Sequence, residues 1–342
     1  MSDQQPAPKV RIGFGLGTST DLHGPSYGAV VDALESLGFD SLWLSERISG
    51  PAPDPLVAMA YGAGRTERLK FGMSVMVLPG RNPVVLAKEL ATLANMSGGR
   101  LLPAFGLGAV DPIEQQAFGV QRGERAKLFD EMLTVMRSCW TGEPFTHHGA
   151  RYDYDDVRVL PPATKMEVWL GGIAPSELRR IGRMADGWLP SFVTPDDAAA
   201  GRLVIEEVCA EHDREIEHDH YGVLVPYSFG PIPDRLQALL SKRRPDLSDP
   251  GELVPTSWDG LTAEIELRVE PAGTPSAPVM AEDEVLGLCL GEFQINGAEC
   301  AQPILPGQTV GGTWAEGLDE DFFYFFAGAG TEVRITLDVA DN

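Results

Sequence analysis

Positive charge is scarce in this chain of 342 residues: 27 lysines and arginines stand against 50 aspartates and glutamates, a net charge of −23. So acidic a surface repels polyanions, which excludes nucleic acid and anionic lipid as partners. No apolar run has the length of a membrane span. The opening residues, MSDQQPAPKV, lack the basic-then-apolar layout of a secretion signal. Cysteine is sparse as well. Cys139, Cys209, Cys289 and Cys300 stand apart with no CxxC, which reads as free thiols in a reduced, cytoplasmic setting.

Several catalytic signatures are also missing. No GxGxxG follows the first strand-like run, which argues against a Rossmann half. There is no GxSxG for an acyl-transfer nucleophile. No HExxH or Cys/His spacing appears, and the adjacent His147 and His148 would face opposite ways on a strand, so no metal site is expected. Lys70 and Lys88 are not placed at a buried strand end, where a Schiff-base lysine belongs.

What is present is an alternation. Strand-like runs at Val10–Leu16, Ser41–Ser45, Leu69–Val77, Arg100–Leu107, Glu167–Gly172, Gly187–Ser191 and Tyr221–Ser228 are each followed by a helical pattern. The residues FTHHGARYDYDDVRVL read as an excursion with a hairpin before the fifth strand. Seven or eight such units over about 260 residues fit a closed (β/α)8 TIM-type barrel better than an open sheet. In a barrel, function belongs to the loops after the strands.

The charge divides the chain. Residues 263–342 hold 15 acidic residues against Arg268 and Arg334, and all six histidines lie before them. The expected organisation is a disordered tail at 1–9, the barrel at 10–270, a Pro/Gly/Ser-rich linker at 271–280 and a small β-sandwich-like domain at 281–342.

Three strand ends attract attention. Ser45-Glu46-Arg47 sets opposite charges after the second strand, where they could bind a polar ligand or move a proton; a surface ion pair is the plainer alternative. Gly106-Leu107-Gly108 after the fourth would let a flat ring approach the backbone, or simply form a turn. Gly171-Gly172-Ile173 leads into a helix whose free amides suit a phosphate. The third strand, FGMSVMVLPGRNP, breaks abruptly before an Asn82-Pro83 helix start.

Taken in order, GFDSLWLSERI, RTERLKFGMSVMVLPGRNPVVLAKELATL, SGGRLLPAFGLG, VWLGGIAPSELRRIGRMADGWLPSF and EEVCAEHDREIEHDHYGVL resemble the luciferase-like flavin-dependent oxidoreductases, and more closely the branch that uses the deazaflavin coenzyme F420. The resemblance runs from about Val10 to Leu261 and implies a barrel with the ring of the cofactor at its C-terminal mouth. It implies a cis peptide between Ser74 and Val75 supporting the ring, polar side chains near the ring at Glu46 and Arg47, and the phosphate tail at Gly171, Gly172 and Ile173. It implies hydride transfer with a small-molecule substrate, with F420 as cofactor or FMN as the alternative; with FMN the protein would be a monooxygenase. A non-catalytic flavin-binding barrel is a further reading, and a homodimer is the oligomer to test. Two departures stand out. Many F420-using relatives carry Asp-His where Glu46-Arg47 stands, and Ala109 and Val110 replace a frequent acidic residue after the fourth strand.

The C-terminal part departs further. After SWDGL the chain is short for both an eighth helix and an eighth strand, so either AEIELRV serves as that strand or the barrel does not close normally. The run DFFYFFAGAGT weakly resembles the pre-peptidase C-terminal domains of secreted bacterial proteins.

Overall fold

Period-two alternation decides the second strand. In β2 (Ser41–Leu44), Leu42 and Leu44 join the large cluster beneath the helices, while Trp43 belongs to a separate small cluster and its indole N–H donates to Ser41 Oγ at 2.9 Å. The same division holds around a ring of strands. The computed structural model describes residues 11–228, 230–257 and 260–261, together with the backbone of residues 321–326.

β1 (Arg11–Leu16), β2 and β3 (Lys70–Met73) are parallel neighbours. The third stave is interrupted at Ser74–Val75 and resumes as β4 (Met76–Val77). The fourth is β5 (Leu101–Leu102) and β6 (Ala104–Gly106), parted at Pro103, which has no N–H for a ladder. β7 (Phe145–His148) and β8 (Asp153–Val157) form the expected antiparallel hairpin outside the ring. The ring continues from β6 to β9 (Trp169–Leu170) and β10 (Gly187–Trp188), all parallel. Bridges Trp188–Tyr221 and Ser191–Leu224 join it to β11 (Gly222–Tyr227).

Eight helices accompany the strands among the described residues: α1 (Pro25–Leu37), α2 (Pro55–Ala63), α3 (Pro83–Met96), α4 (Pro112–Phe118), α5 (Arg125–Trp140), α6 (Pro175–Met184), α7 (Pro195–Glu211) and α8 (Asp234–Arg243). The Asn82 carboxamide caps α3 as expected, accepting from the N–H of Val84 and Val85 at 3.0 and 3.1 Å. α4, a helix the sequence reading passed over, is capped by Asp111, whose Oδ1 accepts from Ile113 N at 2.8 Å.

Two cores result. The larger lies between strands and helices and includes Phe14, Leu42, Phe71, Leu90, Met132 and Ile181. The smaller consists of Trp43, Ala104, Trp169, Leu189 and Leu224, with Val75 and Leu102 packed against it, and fills the barrel interior. Gly72 and Gly187 make room for its two tryptophans: a Cβ on Gly72 would overlap Trp43, and one on Gly187 would overlap Trp169.

The eighth position differs from expectation. It is taken by β12 (Asp321–Phe326), which runs antiparallel between β1 and β11, with Gly15 and Pro226 both in register with Phe322. The ring is thereby closed, with seven parallel staves and one reversed. This strand was expected in a separate C-terminal domain. The remaining calls on the tail 1–9, the linker 271–280, AEIELRV, Cys289 and Cys300 lie outside the described residues. Cys139 and Cys209 are buried free thiols.

Candidate functional site

At the C-terminal ends of the strands the interior positions become small and polar: Gly17, Ser45, Ser74, Gly106, Gly171 and Ser191 follow the tryptophan-filled layer. This is the mouth of the barrel. The Ser74–Val75 peptide is cis, as the resemblance implies. Its surroundings are closely tied. Ser45 Oγ donates to Ser74 O at 3.1 Å, Ser74 N to Leu44 O at 2.8 Å and Leu78 N to Gly106 O at 3.1 Å.

Glu46 lies under this bulge. Its side chain is only 2 % exposed. Oε2 accepts from Val77 N at 2.7 Å, and Oε1 pairs with the guanidinium of Arg81, whose Nε donates to Val77 O at 2.9 Å. Burial is the largest influence on the carboxyl and pushes its pKa up, against the pull of Arg81 and of the Val77 N–H. Glu46 and Arg47 therefore do not act on one another. Arg47 turns the other way, Nη2 meeting Asp111 Oδ2 at 3.1 Å and Nε meeting Ser49 Oγ at 3.1 Å.

Two acidic residues that the sequence reading missed arrive here from α4 and its cap. Besides Asp111, Glu114 accepts from the N–H of Ile48 and Ser49 at 3.2 and 3.0 Å and from Ser49 Oγ at 2.7 Å. The Asp-Pro pair at 111–112 was the available signal, as an N-cap followed by proline at N1. The acidic position vacated at Ala109 is thus answered within five residues.

The Glu114 carboxyl carries a pH prediction. Burial would raise it, but the Ser49 hydroxyl, two backbone N–H groups and Arg47 together hold it below the usual glutamate range. A depressed folded-state pKa contributes stability that is present above the unfolded value of about 4.3 and lost as pH falls through the folded value. The loop at residues 47–50 should therefore loosen from α4 in acid, below about pH 4, and Glu114→Gln should remove that part of the acid sensitivity. Amide hydrogen exchange at Ile48 and Ser49 as a function of pH checks this; protection unchanged down to pH 3 would contradict it.

Gly106 and Val75 are brought together: a Cβ on Gly106 would overlap the Val75 side chain. Gly108, at φ 82°, packs beside Val77 in the same way. Leu107 turns towards the outer core, and its carbonyl, with those of Gly108 and Ala109, accepts from Arg125 Nη1 at 3.2, 2.6 and 3.2 Å. Gly171, Gly172 and Ile173 stand on the far side of the mouth after β9. There the Glu177 carboxylate accepts from Ala174 N at 3.0 Å, so one amide of the helix start expected to meet a phosphate already holds an acid. The glycine cradle at 106 and 171 and the bulge at 74–77 suit the flat face of a ring; the phosphate end of the mouth suits an anion only with Glu177 displaced.

Among the described residues, Glu217, Asp219 and His220 form the one group with metal-ligand geometry. It lies at the opposite, N-terminal end of β11, where Asp219 pairs with Arg11 and His220 Nδ1 lies 2.9 Å from Asp186 O.

A ring of strands with a filled interior and a small-residue mouth defines a TIM-type barrel whose ligand site is at the C-terminal end. Residues 13–285 match the model of the Luciferase-like monooxygenase family, and the chain belongs to that family. An F420-dependent glucose-6-phosphate dehydrogenase of Microbacterium testaceum is 29 % identical over 195 residues, covering 53 % of this chain and 56 % of that protein. An uncharacterised protein of Mycobacterium tuberculosis is 30 % identical over 214 residues, covering 55 % and 73 %. The chain spans about half the length of the curated F420-dependent relatives it matches. Among solved structures, an F420-dependent secondary alcohol dehydrogenase with an F420-acetone adduct superposes with a TM-score of 0.61 at 19 % identity, over 76 % of this chain and 90 % of that one. The oxygenating constituent of 3,6-diketocamphane monooxygenase of Pseudomonas putida, in complex with FMN, gives 0.55 at 20 % identity over 69 % and 71 %. At these identities the likeness is one of fold.

Proposed function

We propose that this protein is an oxidoreductase that transfers a hydride between a small organic substrate and coenzyme F420 at the mouth of the barrel. The observation that carries the reading is the platform formed where Val75 sits against Gly106 above the tryptophan layer, open to the C-terminal end. Relatives named as F420-dependent support the deazaflavin over FMN. Bound there, the coenzyme supplies a ring that accepts or gives a hydride.

The chain's own residues position and exclude. Ser45, Glu46 and Arg81 hold the bulge in place from beneath. Both Glu46 oxygens are occupied by these partners, so in this reading Glu46 positions the platform, and the proton that accompanies the hydride is handled by Arg47 and Asp111 at the rim. Asp111→Asn should then lower kcat with coenzyme affinity unchanged. Gly171, Gly172 and Ile173 receive the phosphate end once the Glu177 side chain swings away.

Mixing the purified protein separately with F420 and with FMN tests the cofactor. F420 should bind at least tenfold more tightly. Tighter FMN binding would favour the family's monooxygenase chemistry, which the FMN complex of the diketocamphane enzyme supports as the second reading. Binding of neither by a folded sample would overturn both, and binding without turnover of any substrate would mark a non-catalytic barrel.

The reading includes a cytoplasmic setting, in keeping with the buried free thiols, and a homodimer, for which Val57 and Tyr61 on α2 and Val85 and Met96 on α3 offer exposed apolar side chains. Light scattering reports the oligomer directly. Among the described residues no helix is long and apolar enough to cross a membrane.

A further inference from the structure

The loops that rim the mouth expose apolar side chains. Ile48 is 54 % exposed, Val110 50 % and Ile113 61 %. They belong to one surface, because the bonds already described knit their loops together: Arg47 to Asp111, and Glu114 to the N–H groups of Ile48 and Ser49. Ile173, across the mouth after β9, is exposed as well. Three β-branched residues standing in water beside a ligand site lower the free energy of an apolar ligand that covers them.

The cations beside them are already matched. Arg47 pairs with Asp111 and stands 4.0 Å from Glu114, whose side chain is 5 % exposed; Arg81 pairs with Glu46. A phosphate dianion brought to this rim would meet two carboxylates for each advance on Arg47. Arg235 on α8 is the nearest alternative, bonded to Ser19 on the loop after β1, away from the apolar residues. A neutral hydrogen-bonding group is available at the same end of the barrel: Thr20 is 6 % exposed, and its hydroxyl has no partner among the described residues.

We infer that the substrate is an uncharged alcohol or ketone with an apolar body, seated against Ile48, Val110 and Ile113, and not a sugar phosphate. The inference rests on the F420 reading and adds the substrate class to it. In the oxidation, the carbinol C–H bond breaks with its electron pair passing as hydride to F420, the O–H proton leaves to a base, and a carbonyl forms; alcohol and oxidised coenzyme become ketone and reduced coenzyme.

The test begins with binding and does not depend on turnover. Calorimetry of the F420-loaded protein with 2-alkanones from acetone to 2-octanone, and separately with glucose 6-phosphate, measures affinity. Affinity should rise about fourfold for each added methylene that becomes buried, the equivalent of about 0.8 kcal/mol per CH2. Ile48→Ser and Ile113→Ser should flatten that slope. The matching 2-alkanols should be oxidised with a kcat/KM that follows the same trend. Tighter binding of glucose 6-phosphate than of 2-octanone, lost in Arg235→Gln, would overturn the inference and leave the F420 reading standing. A slope of zero in the unmodified protein would also overturn it. Failure of F420 itself to bind, seen before any substrate is added, would remove both.

Discussion

Glu46→Ala should lower stability by about 3–5 kcal/mol, because it strips one partner from a buried ion pair and leaves the other without its counter-charge. At 2 % exposure the Glu46 side chain cannot be replaced by bulk water, and the Val77 N–H loses its acceptor along with Arg81. For a domain of this size the loss corresponds to a fall of roughly 6–15 °C in Tm. Glu46→Gln keeps the shape and can still accept from Val77, so it should cost less. Because the bulge is the platform of the mouth, F420 affinity of Glu46→Ala should drop at least tenfold even at temperatures where the variant is folded. Thermal unfolding and coenzyme titration check the two effects separately. A variant within about 1 kcal/mol of the parent would show that Arg81 finds solvent and that the pair is not structural.

Arg100→Ala should cost about 2–4 kcal/mol, for a reason unconnected with the site. Its guanidinium gathers the end of α2, the turn before β3 and the end of α3. Nη2 donates to Ala63 O and Thr66 O at 2.8 and 3.0 Å, Nη1 to Leu69 O and Thr66 Oγ1 at 2.8 Å each, and Nε to Ser97 O at 2.8 Å. On the same turn the Glu35 carboxylate accepts the N–H groups of Glu67, Arg68 and Leu69 at 3.1, 2.9 and 2.7 Å. Alanine leaves the four backbone carbonyls to compete for whatever water can enter. Lysine, with one ammonium in place of a planar fork, should recover only a minor part. Urea unfolding reads the difference, and coenzyme affinity should be unchanged at low urea. A loss below 1 kcal/mol would mean that water replaces the guanidinium without penalty.

The barrel was legible because its signals are local. Leu42 and Leu44 alternate with Ser41 and Trp43, and Asn82-Pro83 announces a helix wherever it stands. The mouth was legible as a place, since strand ends follow from strands. The partners within it were not. Glu46 and Arg47 are adjacent in sequence and invite a pair, yet strand geometry sends successive side chains apart, and their true partners lie at Arg81 and at Asp111 and Glu114. Nothing in composition names a partner tens of residues away. The cis peptide at Ser74–Val75 was legible only through resemblance, because Ser and Val carry no local preference for it. The reversed eighth strand was hidden for the opposite reason: DFFYFF is apolar without a period, and such a run does not say which sheet it joins.

That reversed strand gives the barrel a timetable. Gly15 pairs with Phe322, so the first strand to leave the ribosome waits for one of the last before its outer ladder is filled. At ~5–20 residues per second the wait is roughly 15–60 s. Throughout it, β1 and β11 present open edges to any neighbouring nascent chain, which makes polysome crowding, more than temperature, the condition under which this protein is most exposed to mispairing.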